Sequence, residues 1–105
     1  MTDKEMQILS ELKRGVSQIT TVVDMCLFGS RARGDADKDS DMDIFLEVPS
    51  INRELRDKLS DISWELGYEN DIYISLMIFT KDEIENSPLR ASPLVANIML
   101  EGQRI

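Results

Sequence analysis

Two short stretches have residue types and spacing that can do chemistry. Gly29-Ser30 follows directly on an apolar run that ends at Phe28, and ten residues later Asp41-Met42-Asp43 opens a second apolar run. A glycine straight after a buried strand lets the backbone turn sharply and lets a ligand approach with no Cβ in the way. Ser30 then offers its hydroxyl and N–H groups at a helix start, where the partial positive charge favours phosphate. Asp41 and Asp43, two apart on an extended strand, share one face with Cα atoms about 6.6–6.8 Å apart. Side by side they repel each other unless a cation or proton intervenes. A phosphate cradle facing a metal site is the combined expectation, that is, a nucleotide–Mg²⁺ site.

Each part has a plainer explanation. Gly29-Ser30 alone is often an ordinary turn with an N-cap serine. Asp35, Asp37, Asp39, Asp41 and Asp43 alternate, and an acidic chain throws up such pairs in solvated loops. A calcium loop is excluded. Counted from Asp35, the sixth and twelfth positions are Ser40 and Leu46, and counted from Asp37 they are Met42 and Val48, where Gly and Glu are needed. Arg31 and Arg33 stand close to the proposed phosphate; they either neutralise its oxygens or, in the case of Arg33, pair with a nearby Asp and hold the loop. Cys26 lies inside an apolar run with no histidine anywhere in the chain to activate it, which argues against a thiol nucleophile. Trp64 and Tyr68, near a helix end, are expected to pack.

The elements that must position these residues follow from periodicity. Residues 4–21 predict a first helix with Leu9, Leu12, Val16 and Ile19 as its stripe. Residues 22–28 are nearly all apolar and too short for a helix, which suits a central strand. A helical turn over 31–34, stopped by Gly34, and a polar loop over 35–40 lead to a strand over 42–48, with Met42, Ile44, Leu46 and Val48 facing the core. Pro49-Ser50 caps a helix over 51–66 buried through Leu55, Leu59, Ile62 and Leu66, with Gly67 as its stop. Residues 71–79 read as a third strand. Thr80 to Glu83 form a capping box before a short helix. Ser92-Pro93 starts a last helix, docked by Leu94, Ile98 and Leu100 and ending at Gly102. Gln103 to Ile105 are an edge strand or a loose end. The sum is an α/β (α+β) fold, a small mixed sheet of three to four strands with helices packed against it, in a single domain over residues 1–105.

Composition narrows the function. The 105 residues carry a net charge of −8, contain no histidine and only one cysteine, and are 42% hydrophobic. The charge makes direct nucleic-acid binding a poor expectation, although an acidic protein binds a nucleotide well when a divalent cation lies between them. His-based zinc sites and a disulfide framework are excluded. Neither a leader sequence nor a membrane-spanning run is evident, so the cytoplasm is expected.

The string GSRARGDADKDSDMDIFLEV resembles the signature of the polymerase-beta-like nucleotidyltransferases, in particular their minimal single-domain branch, the MNT domains. YISLMIFTKDEIENSPL and VANIMLEGQRI are similar to that branch's last strand, following helix and closing helix, so the likeness spans about residues 20–105. The resemblance implies an Mg²⁺-dependent nucleotidyltransferase that moves a nucleoside monophosphate, AMP, from an NTP (ATP) to a hydroxyl. Gly29 and Ser30 would hold the β- and γ-phosphates with Arg33 nearby. Two Mg²⁺ ions would be held by Asp41, Asp43 and a third carboxylate. In many relatives that third group directly precedes the stretch matching Ile74-Ser75, where this chain has Tyr73. Asp71, two residues earlier, is the candidate; Glu69 is a substitute, or the third ligand is missing. Relatives of this branch are commonly paired with a small helical HEPN-type partner as toxin and antitoxin, in some cases transferring AMP to a tyrosine of the toxin. A HEPN-type partner is therefore expected, and a homo-oligomer is possible. The competing expectation is a catalytically weak or inactive antitoxin module that binds nucleotide or its partner.

Overall fold

The computed structural model describes residues 1–105. Five α-helices and three strands run in the order α1 (Asp3–Ser17), β1 (Asp24–Phe28), α2 (Gly29–Arg33), β2 (Met42–Val48), α3 (Arg53–Glu69), β3 (Ile74–Thr80), α4 (Lys81–Asn86) and α5 (Pro93–Glu101), with a 3₁₀ turn at Pro88–Ala91. The sheet order is β1-β2-β3. β1 and β2 are antiparallel, with Phe28 opposite Asp43, and β2 and β3 are parallel, with Asp43 beside Ser75. The mixed sheet is the one expected, with three strands plus a single antiparallel bridge from Leu27 to Gln103.

The period-2 alternation of β2 splits the interior in two. Met42, Ile44, Leu46 and Val48 pack with Met25 and Leu27 of β1 against the stripes of α1 (Ile8, Leu9, Leu12, Val16) and α3 (Leu59, Leu66). Each such aliphatic side chain removed from water contributes roughly 1.5–3 kcal/mol. The opposite face holds a smaller cluster of Cys26, Phe45 and Ile98, flanked by Phe28, Phe79 and Ile84. Burial pushes the Cys26 thiol up to about 11, which keeps it protonated and unreactive at neutral pH.

Several boundaries move for physical reasons. α1 stops at Ser17, leaving Ile19 outside the helix and 38% exposed. Asn52, not Pro49-Ser50, caps α3, its side chain accepting from the Leu55 N–H. α3 runs through Gly67 to Glu69. Gly67 is a packing position: a Cβ there would stand 2.6 Å from the Ile72 carbonyl oxygen. α5 docks through Val95 and Ile98, whereas Leu94 and Leu100 are exposed. Trp64 and Tyr68 do not pack into the core; they are 67% and 78% exposed and stack on each other at 5.6 Å. No helix is long and apolar enough to cross a membrane.

Candidate active site

The β1–β2 pairing brings the two motifs together. Phe28 lies opposite Asp43, so the turn that leaves β1 folds back over the Asp43 carboxylate. Gly29 adopts φ +74, and a Cβ built on it would be 2.6 Å from Asp43 Oδ2. Glycine is needed there twice over, once for the left-handed backbone and once for the carboxylate that takes the space. α2 then starts with Phe28 at its N-cap, a residue that makes no side-chain cap hydrogen bond. The first-turn N–H groups of an α-helix have no intrahelical partner, so those of α2 are free to meet an anion.

Asp43 is half-buried in β2, and Asp41 stands exposed immediately before the strand. Burial raises the Asp43 carboxyl above the ordinary carboxylate range, the Asp41 charge raises it further, and Arg33 partly offsets both. A group whose ionised form is disfavoured by burial and by a like charge gains most from a cation beside it.

Arg31 positions Asp41 from behind. Its Nε and Nη2 donate to the Ser40 carbonyl at 3.0 and 2.7 Å, Nη2 also reaches the Lys38 carbonyl at 3.4 Å, and Nη1 meets Glu5 Oε2 at 3.1 Å. The Glu5 side chain is buried and that of Arg31 is partly buried, 6% and 12% exposed. Burial pushes the Glu5 carboxyl up, but hydrogen bonds from Thr2 and Arg31 outweigh it and hold it below its ordinary value. Arg31 is thus a strut that fixes the last residue before Asp41 to the N-terminal capping box of α1, and it is not free to take phosphate. Arg33 is the exposed one of the pair. It reaches Asp35 Oδ2 at 3.3 Å and Glu101 Oε2 at 3.4 Å, both weak surface pairs.

The C-terminal residues support the same turn. Gln103 exchanges backbone hydrogen bonds with Leu27 at 2.9 and 2.8 Å, and its Nε2 donates to the Ala32 carbonyl of α2 at 2.6 Å. Arg104 forks onto Asp24 at 2.8 and 2.7 Å. Sequence reasoning left this segment open between edge strand and loose end, because a single bridge leaves no periodic signal.

Asp71 is not brought to Asp41 and Asp43. β3 starts at Ile74, not at residue 71, and Asp71 belongs to the turn after α3 with φ +53. It lines a cavity of about 560 Å³ between α3 and β3, together with Ile74, Leu76 and Ile78, whose side chains lie on the α1–α3 face of the sheet. No group of three Asp, Glu or Cys side chains converges so as to hold a metal ion. Just ahead of β3 the Tyr73 carbonyl accepts from the Met42 N–H at 2.9 Å, and within β3 Ser75 is paired with Asp43. Glu69 ends α3 and offers no substitute in β3.

Comparison with known proteins agrees with this geometry. Residues 7–105 match the family model of the nucleotidyltransferase domain. A protein of Methanocaldococcus jannaschii named as a protein adenylyltransferase is 33% identical over 93 residues, covering 77% of this chain and 92% of that one. A solved structure of a toxin–antitoxin with AMP-PNP superposes with a TM-score of 0.63 at 19% identity, over 97% of this chain and 71% of that one, a likeness of fold. A turn at Gly29 closed over a β2 aspartate, a second aspartate one strand step away and a match that spans nearly the whole chain have one explanation: the chain belongs to the nucleotidyltransferase domain family and is a transferase of the MNT type.

Proposed function

We propose that this chain transfers AMP from ATP to a hydroxyl on a partner protein. The observation that carries this is the seat of the Asp43 carboxylate over Gly29, beside the uncapped start of α2. The N–H groups of Gly29 and Ser30 and the Ser30 hydroxyl would take β- and γ-phosphate oxygens, and Arg33 would exchange its weak surface partners for phosphate. Attack by the acceptor oxygen on the α-phosphorus forms one P–O bond, breaks the bond to the β-phosphate and releases pyrophosphate.

The donor set fits Mg²⁺, which commonly takes one or two carboxylates and completes its shell with substrate phosphates and water. Asp41 and Asp43 would hold it, and it would supply charge neutralisation and a more acidic acceptor hydroxyl. A second ion would need a ligand from outside the residues gathered here. The adenine preference rests on the name of the M. jannaschii relative and on the AMP-PNP of the structural neighbour. The partner is proposed to be a HEPN-type helical protein with this chain as its antitoxin, on the family resemblance and the toxin–antitoxin assembly of that neighbour.

One observation favours a second reading, a binding module with little or no catalysis. Where the resemblance expects a third carboxylate this chain has Tyr73, a residue that lines the α3–β3 cavity, and the β3 residue beside Asp43 is Ser75. Incubation with Mg²⁺, α-labelled ATP and the protein encoded by the neighbouring gene decides between them. The transferase reading predicts label on the partner and at least ~100-fold less with Asp43→Ala, since even ligand-supporting residues cost 10–100-fold. Unlabelled partner that binds equally well to wild type and Asp43→Ala would establish the binding module instead.

A further inference from the structure

The face of the sheet away from Asp43 carries a surface that the nucleotidyl-transfer chemistry does not use. β3 is an edge strand, with β2 on one side and no strand on the other. Its sequence, ISLMIFT, has no charge and no proline over seven residues. Monomeric proteins normally blunt such an edge with lysine, proline, a bulge or a covering loop. The Met42 N–H bond to the Tyr73 carbonyl sets the phase of the strand. Residues 73, 75, 77 and 79 turn their backbone groups to β2, so those of Ile74, Leu76 and Ile78 point outward.

Beside this open ladder lie the three most exposed aromatic side chains. Trp64, Tyr68 and Tyr73 are 67%, 78% and 65% exposed and border the 560 Å³ cavity. Trp64 and Tyr68 stack on each other, 7° from parallel, and together present an apolar aromatic surface. Aromatic residues in such a setting are the commonest interface anchors.

We propose that β3 is the seam of a homodimer, in which two copies pair their β3 strands antiparallel about a two-fold axis near Met77 to form one six-stranded sheet. Three features select a second copy. The outward groups are self-complementary, because Leu76 of one copy meets Ile78 of the other and both offer free N–H and C=O. The strand is uncharged, so no like charges are forced together along the ladder despite the net −8 of each chain. Charge is complementary across the two-fold. The cavity has Arg56, from the first turn of α3, toward the Val48–Thr80 end of the sheet and Asp71 toward the Ile74 end. Reversing one copy places the Arg56 end of each cavity against the Asp71 end of the other, with the two Trp64–Tyr68 stacks between them. Isologous contacts of this kind close on themselves, and each copy's β3 edge is then paired.

Sedimentation velocity of the full chain, from low micromolar to ~100 μM, tests this. The wild type is expected at twice the 12.0 kDa chain mass at the upper concentrations. Leu76→Pro removes an outward N–H without touching the bonds to β2, as edge strands tolerate, and Trp64→Glu alters only an exposed side chain. Each is expected to raise the dissociation constant at least ~10-fold while Mg²⁺–ATP still raises the melting temperature, and Arg56→Asp is expected to weaken the dimer less. A wild type that stays at 12.0 kDa throughout overturns the proposal, as does a dimer indifferent to both Leu76→Pro and Trp64→Glu. Retention of the nucleotide response in the variants keeps either failure distinct from failure of the active-site reading.

Discussion

β2 and β3 are parallel neighbours, and each has an aspartate shortly before its apolar run, yet only the β2 aspartates reach the site. Ahead of β2 a turn over residues 38–40 ends one residue before Asp41, and its last residue, Ser40, is clamped by Arg31, so Asp41 enters the strand directly and shares the period-2 alternation of Asp43. Ahead of β3 the chain is still turning out of α3. The Asp71 N–H bonds to the Tyr68 carbonyl, that of Ile72 bonds to Gly67, and Asp71 sits at φ +53. Parity carries a side chain to a given face only through extended backbone. One left-handed residue sends Asp71 into the α3–β3 cavity.

That contrast can be broken from the β2 side or sharpened from the β3 side. The largest effect is expected from Arg31→Ala, which strips three hydrogen bonds from the Asp41 loop and leaves Glu5 buried without its cation. A loss of about 2–3 kcal/mol is expected in urea unfolding. Weaker nucleotide binding should accompany it, as the loop ahead of β2 loses the clamp on its last residue. Arg31→Lys should not restore it, because an ammonium lacks the fork that spans Ser40 and Glu5. Gly29→Ala comes next. It sets a Cβ against Asp43 Oδ2 in a left-handed conformation and should cost about 1–2 kcal/mol, read as a lowered melting temperature. It should also displace Asp43 and weaken Mg²⁺–ATP binding by more than the stability loss alone explains. Asp71→Asn is expected to do least. Asparagine tolerates the left-handed region, so stability should change by less than ~0.5 kcal/mol and Mg²⁺–ATP binding should be unaltered. A ten-fold loss of nucleotide affinity in Asp71→Asn would show that the cavity side takes part after all.

Much of this was legible in the sequence where local signals agree. The β2 boundaries, its two faces, the capping box at Thr80 and the left-handed stop at Gly34 all follow from short-range chemistry, and the structure shows them as expected. The approach of Gly29 to an aspartate was foreseeable in kind, since a glycine after a strand signals a close approach, but naming Asp43 required the β1–β2 register. Three things were hidden. Gly67 looked like a helix stop because glycine ends helices and also permits close packing, and only the Ile72 carbonyl tells which. Asp71 looked like a strand residue because apolar periodicity cannot see one positive φ. Trp64 and Tyr68 looked like core because their apolar area normally drives them inside. They are exposed beside the edge strand β3, where the proposed dimer would cover them.

The central claim is that Gly29, Ser30, Asp41 and Asp43 form a nucleotide–Mg²⁺ site. The most direct test is the thermal unfolding of wild type and Asp43→Asn with millimolar ATP, with and without Mg²⁺. A ligand that binds only the folded state at 100 times its dissociation constant adds about 2.7 kcal/mol. The wild type should therefore rise by several degrees with Mg²⁺–ATP and by much less with ATP alone. Without ligand, Asp43→Asn should melt no lower than wild type, since it removes a carboxylate whose charge is disfavoured by burial and by Asp41, and with Mg²⁺–ATP it should gain almost nothing. An equal rise in Asp43→Asn, or no rise in the wild type at any magnesium concentration, would contradict the account.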